Sequence, residues 1–264
     1  MNALDGASSR PARIAILQPT FLPWLGWFDI ADQVDLLILL DDVAFSKQSW
    51  QQRNRIRTGD RLALVTVPVV TAGRLGQPIC QVALSDTRFA AKLERTLSGS
   101  YARAPFFRAL FPGFQETLQR AAGSGNLSDL NSGLIEWFMD VLGIPTPVRR
   151  SSTLDAQGRR GEYLVALCQH VGATNYLSPA GSEAYLLEDR ACFEQQNIKV
   201  ALHEFAHPEY RQVFDPFIPY ASTLDLLFNE GPRSLEIIRS GRRPNRHLGV
   251  RATAGVDGGV YDKR

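Results

Sequence analysis

The chain is predicted to be an α/β protein built on an open, mostly parallel, Rossmann-like sheet with a helical insertion. Three observations carry that prediction. Short β-branched or leucine-rich runs recur at 13–17, 35–40, 175–177 and 198–205. Stretches with apolar residues at helical spacing separate them. The run from Asp35 to Leu40 is apolar on both sides, which fits a central parallel strand better than an exposed edge.

Each element has a local reason. Residues 1–12 are small and polar and read as a disordered lead-in. Arg13 to Leu17 is a short, β-branched first strand. Pro19 and Pro23 delay the next helix, and Pro23 suits a first helical position. Trp24, Trp27, Phe28 and Ala31 then fall at i, i+3, i+4 and i+7, one apolar helix face. A third strand is expected over Arg61 to Val69. A fourth is expected over Ile79 to Leu84, after the basic, glycine-bearing loop 71–78. Asp86 caps a helix with Phe89, Leu93 and Leu97 at four-residue spacing. Two more helices cover 105–122 and 128–142, the second stopped by Gly143 and Pro145.

A helix at 162–171, a strand at 175–177, the loop Ser178 to Gly181, a helix over 188–196 and a strand over 198–205 follow. Helices fill 222–239. From Ser240 the chain turns to Gly, Arg and Pro without an apolar period, so 240–264 is expected to be a disordered tail. One α/β domain would thus span 13–239, with 86–142 as a helical insertion or cap.

Composition removes several classes. With 44% hydrophobic and 21% charged residues the chain is ordinary for a globular protein. A formal net charge of +2 is too near balance to imply a nucleic-acid or membrane partner. The apolar runs fall far short of the roughly 20 residues of a membrane span. Cys80, Cys168 and Cys192 are scattered and lack metal-ligand spacing, which suits a reduced, cytoplasmic setting. A small-molecule substrate is the expected partner.

The candidate chemistry collects where strands end. Asp41 and Asp42 follow the buried second strand, the carboxyl edge of an open sheet, where two carboxylates can hold Mg²⁺ or bind an amine or hydroxyl. The loop from Ser46 to Arg57 carries Lys47, Arg53, Arg55 and Arg57 around Trp50 and Asn54, a set suited to phosphate or carboxylate. If that segment is extended, the three arginines share one side. Gln18, Trp24 and Gly26 lie at the first strand-to-helix loop, and Ser178 and Gly181 form a small-residue loop after a later strand. Neither a Gly-x-Gly-x-x-Gly nor a Walker A pattern is present.

His203-Glu204-Phe205-Ala206-His207 matches the zinc protease pattern, but Pro208 and the preceding strand deny it the helix that chemistry needs. In extended chain the two histidines lie roughly 13 Å apart, too far for one metal. Zinc is therefore not expected, and His207 and Tyr210 remain as ligand contacts.

The motifs Ile14-Ala15-x-x-Gln18-Pro19-x-x-Leu22-Pro23-Trp24-x-Gly26-x-Phe28-Asp29 and Asp41-Asp42-Val43-x-Phe45-Ser46-Lys47-x-Ser49-Trp50-Gln51-x-Arg53-Asn54-Arg55-Ile56 resemble the WbqC-like family. The likeness continues through Tyr176-Leu177-Ser178-x-x-Gly181, Phe205-x-His207-Pro208-x-Tyr210 and Ser222-x-x-Asp225-Leu226-Leu227-Phe228-Asn229. It covers about residues 13–239; Leu17 stands where relatives often have His.

The resemblance implies an enzyme of surface polysaccharide or natural-product biosynthesis that joins an acyl or aminoacyl group to an amine, such as a nucleotide-linked amino sugar. The run Pro19-Thr20 to Gly26-Trp27 is also similar to that of adenylate-forming Rossmann enzymes such as pantothenate synthetase, with Trp24 and Trp27 in place of two histidines. That likeness implies ATP and Mg²⁺ as cofactors. In this reading Asp41, Asp42 and Lys47 are catalytic. Gln18, Trp24, Gly26, Arg53, Asn54, Arg55, Ser178, Gly181, His207 and Tyr210 bind substrate or phosphate. The alternatives are a non-catalytic scaffold of a biosynthetic cluster, docking through Trp50 and the arginines, and a metal-dependent glycosyltransferase using the Asp41-Asp42 pair.

Overall fold

Alternate residues of the first strand leave for opposite sides, and this divides the core in two. The structure, a computed structural model, describes residues 12–249. In β1 (Arg13–Leu17), Ile14 and Ile16 enter one apolar layer while Ala15 and Leu17 enter the other. β2 (Leu36–Leu39) does the same with Leu36 and Ile38 against Leu37 and Leu39. Apart from exposed Arg13 at the start of β1, both strands are buried on both faces, as central parallel strands are.

The six-stranded sheet has the order β5-β2-β1-β6-β7-β8, completed by β5 (Val148–Arg150), β6 (Asn175–Pro179), β7 (Lys199–His203) and β8 (Arg246–His247). The first five strands run parallel, and β8 closes the edge antiparallel to β7. This is the order of a doubly wound Rossmann sheet, so the open α/β, Rossmann-like prediction holds.

One face is covered by α1 (Leu25–Ala31), by α2 (Phe89–Tyr101), α3 (Phe107–Gly123) and α4 (Leu127–Leu142), and by α8 (Thr223–Glu230) and α9 (Ser234–Ser240). The other is covered by α5 (Gly161–Val171), α6 (Glu183–Glu188) and α7 (Arg190–Gln195). α4 shows the local logic well. Asn126 caps it by accepting from the backbone of Ser128 at 2.8 Å and Asp129 at 3.2 Å, and Gly143 ends it at φ 73°, a left-handed conformation that glycine adopts without strain.

Several expectations change. β3 (Arg53–Thr58) and β4 (Arg61–Thr66) form an antiparallel hairpin outside the main sheet, so the strand expected over 61–69 pairs along 61–66 with a neighbour that the loop assignment concealed. Alternating arginines masked β3: their polarity reads as loop although their spacing is that of a strand. Ile79–Gln81 is a 3₁₀ turn, and the fourth strand reduces to isolated bridges, Val69 with Leu84 and Ala83 with Asn126.

β5 was missed because three residues, two of them arginine, carry no readable period. Residues 241–249 are not a structureless tail: Arg242 pairs with Asp29 and Asp32, Arg246 with Glu183 and Glu204, and β8 joins the sheet. Charge pairing substitutes there for the missing apolar period. The lead-in 1–11 and the tail from 250 onward lie outside the described residues.

Candidate active site

The strand order reverses at β1, whose neighbours β2 and β6 lead the chain in opposite directions, and ligand crevices open beyond the carboxyl ends at such a point. Gln18 follows β1, Asp41 and Asp42 follow β2, Ser151 follows β5, Ser178 lies in β6 with Gly181 just beyond, and His203 ends β7. Each of these residues thus stands at or just beyond the carboxyl end of a strand of the parallel sheet.

Asp41 is fully buried. Its Oδ2 accepts from Ser128 Oγ at 2.8 Å and Ser152 Oγ at 3.0 Å, and its Oδ1 from the Ser152 amide at 3.0 Å. Its own amide donates to Ser151 Oγ at 3.0 Å. So Asp41 braces the end of β2 against α4 and the turn after β5. Asp42 is half-buried; it accepts from Ser151 Oγ at 2.6 Å and from the Tyr163 hydroxyl. Burial, then the hydrogen bond to Asp42, push the Tyr163 phenol up, so it stays a donor. Burial and the two carboxylates likewise push up the Cys80 thiol, which keeps it a poor nucleophile.

Each of the four carboxylate oxygens already faces an O–H or N–H donor, an arrangement that competes with a cation. Among the described residues no group of three or more His, Cys, Asp or Glu is placed to hold a metal. The pair does not fit Mg²⁺.

The second part of the edge is laced by amides. Gln51 Nε2 donates to Gln18 Oε1 at 2.8 Å, and Asn54 Nδ2 donates to the carbonyls of Phe21 and Leu22 at 3.0 and 2.8 Å. Asn54 thus ties β3 to the β1–α1 loop. Arg53, Arg55 and Arg57 alternate along β3. Arg57 is fully buried and donates to the carbonyls of Phe214 and Pro216. The Arg55 guanidinium lies 5.3 Å from the Trp50 ring centroid. Half-buried Arg53 makes no hydrogen bond or ion pair among the described residues. Lys47 is exposed.

At the start of α1 the indole of Trp24 folds over Gly26. A Cβ on Gly26 would come within 2.4 Å of that ring. The small residue therefore makes room for the chain's own indole, in the space where a nucleotide would approach a helix start. Gly26→Ala is expected to displace Trp24 and cost about 1–3 kcal/mol. In a Trp24→Ala background the cost should vanish, and urea unfolding of the four proteins of the cycle measures the coupling.

Trp24 packs against Phe205, His207 and Tyr220. The imidazole of His207 is spent within this cluster: Nδ1 lies 2.9 Å from the Pro208 carbonyl and Nε2 accepts from the Tyr220 amide at 3.1 Å. Burial pulls its pKa down to about 4, so the ring is neutral near pH 7. Tyr210 is buried and donates to Asp225 Oδ2 at 2.8 Å. Both residues hold the segment 205–222, Tyr210 buried and His207 half-buried. His203, the other half of the rejected zinc pattern, lies 2.7 Å from buried Asp29, which also receives Arg242.

Ser178 is fully buried within β6, while a side chain at Gly181 would meet open space. Missed from the sequence were Ser128, Ser151, Ser152 and Tyr163, which stand 87 to 121 residues from the carboxylates they bind. Nothing local marks them; a serine pair after Arg150 was the available signal.

A Rossmann-ordered sheet with helices on both faces and polar groups braced along its carboxyl edge defines an α/β protein. No helix among the described residues is long and apolar enough to cross a membrane. The chain belongs to the WbqC-like protein family, which it matches over residues 18–237. It is 33% identical over 228 residues to the uncharacterized protein Rv1507c of Mycobacterium tuberculosis, covering 86% of this chain and 97% of that relative. No solved structure matches it.

Proposed function

We infer that this chain joins an acyl or aminoacyl group to an amine on a substrate that also carries a phosphate or carboxylate, such as a nucleotide-linked amino sugar. The observation that carries the reading is Arg53. Arg53 is a half-buried residue whose guanidinium meets no partner among the described residues, so its donors are open to an anionic ligand. Arg55, steadied on Trp50, and exposed Lys47 extend the cationic edge.

At the neighbouring strand end, Asp42 presents a carboxylate held in place by Ser151 and Tyr163. In the proposed reaction the amine nitrogen bonds to the acyl carbon of an activated donor. The leaving group departs with its electron pair, and Asp42 takes the amine proton. Asp41 acts only by positioning Asp42. The family resemblance supplies the reaction class and its biosynthetic setting. ATP is a co-substrate for activating the acyl donor, and no step is routed through Mg²⁺ at the Asp pair.

The test is twofold. A nucleotide-linked amino sugar should raise the melting temperature where the free amino sugar does not, and Arg53→Ala should weaken that binding about tenfold or more. Mass spectrometry should then find an amide product from the sugar, an amino or carboxylic acid and ATP. If neither nucleotide-linked sugars nor nucleotides shift the melting temperature and no amide forms, the reading is wrong.

A further inference from the structure

A second cationic feature lies away from the carboxyl edge, at the far end of α8. That helix starts beside the β1–α1 loop, where the Thr223 amide donates to the Pro23 carbonyl at 2.9 Å. Its eight residues carry the chain about 12 Å onward to Asn229 and Glu230. A cavity of about 200 Å³ opens there, lined by Arg103, Pro105, Arg211, Gln212, Val213 and Asn229.

Its floor is rigid because two buried amides are locked in place. Gln212 Nε2 donates to Asp225 Oδ2 at 2.8 Å and to the Ile218 carbonyl at 3.0 Å, and its Oε1 accepts from the Ile218 amide at 2.9 Å. Asn229 Nδ2 donates to the Asp225 carbonyl at 2.7 Å. The rim is cationic. The Arg103 guanidinium is held 5.4 Å from the Phe214 ring centroid, and neither it nor the Arg211 guanidinium meets a carboxylate among the described residues.

Many other arginines of this chain do find one: Arg88, Arg150, Arg160, Arg190, Arg239 and Arg242 are all paired. Glu230 also stands at this corner; its Oε1 accepts from the Arg211 amide at 3.2 Å and its Oε2 lies 3.4 Å from Arg233 Nη1, which turns the carboxylate toward those partners.

We propose that this cavity is a second, oxyanion-binding site that takes a phosphate group between Arg103 and Arg211. Two guanidiniums from separate segments, the α2–α3 turn and the segment after β7, suit a tetrahedral dianion that offers oxygens in more than one direction. Binding would clasp that segment to the helical layer. The site is independent of the reaction inferred above and uses none of its residues.

The probe is inorganic phosphate, titrated into the full chain against chloride at matched ionic strength, read by melting temperature and by ³¹P line broadening. A saturable rise in melting temperature is expected. Arg103→Ala and Arg211→Ala should each weaken it about tenfold or more, while leaving the phosphate-free melting temperature close to that of the parent because both side chains are exposed. Made in an Arg53→Ala background, which removes the phosphate binding expected of the cationic edge, the comparison should give the same tenfold losses, and that separates the two sites. A response that is not saturable, or that survives in that background when Arg103→Ala and Arg211→Ala are combined, overturns the proposal.

Discussion

Asp41→Ala is expected to destabilise the fold by about 2–3 kcal/mol, the range for losing hydrogen bonds to a charged group and leaving a buried donor unpaired. The side chain is fully buried, and its loss leaves the buried Ser128 hydroxyl without its acceptor and takes away the acceptor of the Ser152 hydroxyl and amide. Asp41→Asn should cost far less, about 1 kcal/mol. The asparagine oxygen can still accept from the Ser152 amide, and the hydroxyls of Ser128 and Ser152 can rotate to accept from the new NH₂ group. Urea unfolding of both variants measures the difference. If Asp41→Ala kept its stability and lost only activity, Asp41 would be a reacting group and the brace would be the wrong account.

Acidification should weaken the fold through His207. Its folded pKa lies near 4, below the ordinary 6.5, because burial disfavours the charged ring. The stability tied to its neutral form is therefore fully present above about pH 6.5 and is lost as pH falls toward 4. The shift corresponds to roughly 3 kcal/mol between the two ends of that window. Protonation would oblige Nε2 to donate, against the Tyr220 amide that now donates to it. The measurement is the difference in unfolding free energy between the parent and His207→Gln across pH 7 to 4, which isolates this residue from the carboxylates. A constant difference over that range would refute the assignment. The carboxyl groups of Asp32, held low by Arg239 and Arg242, and of Glu183, held low by Arg246, add losses at still lower pH.

The central strands β1 and β2 were legible because they bury both faces and so write apolar runs; from that, Asp41 and Asp42 could be placed at the carboxyl edge. Asn54 and Arg55 could be seen as part of a polar segment, but not that Asn54 holds two loop carbonyls and Arg55 an indole. β3 stayed hidden because a ribbon strand with arginine at alternate positions has the polarity of a loop.

By itself, then, the sequence determined the α/β class, the strand ends on which polar residues collect, and membership of a family. Only the tertiary structure decided which of those residues are spent. Asp41, Asn54, His207 and Tyr210 satisfy buried partners, whereas Arg53 meets none among the described residues. The physical reason is separation along the chain. A hydrogen bond between Asp42 and a tyrosine 121 residues away leaves no periodicity behind, and what a polar side chain does depends on whether folding brings it a partner or leaves it one short.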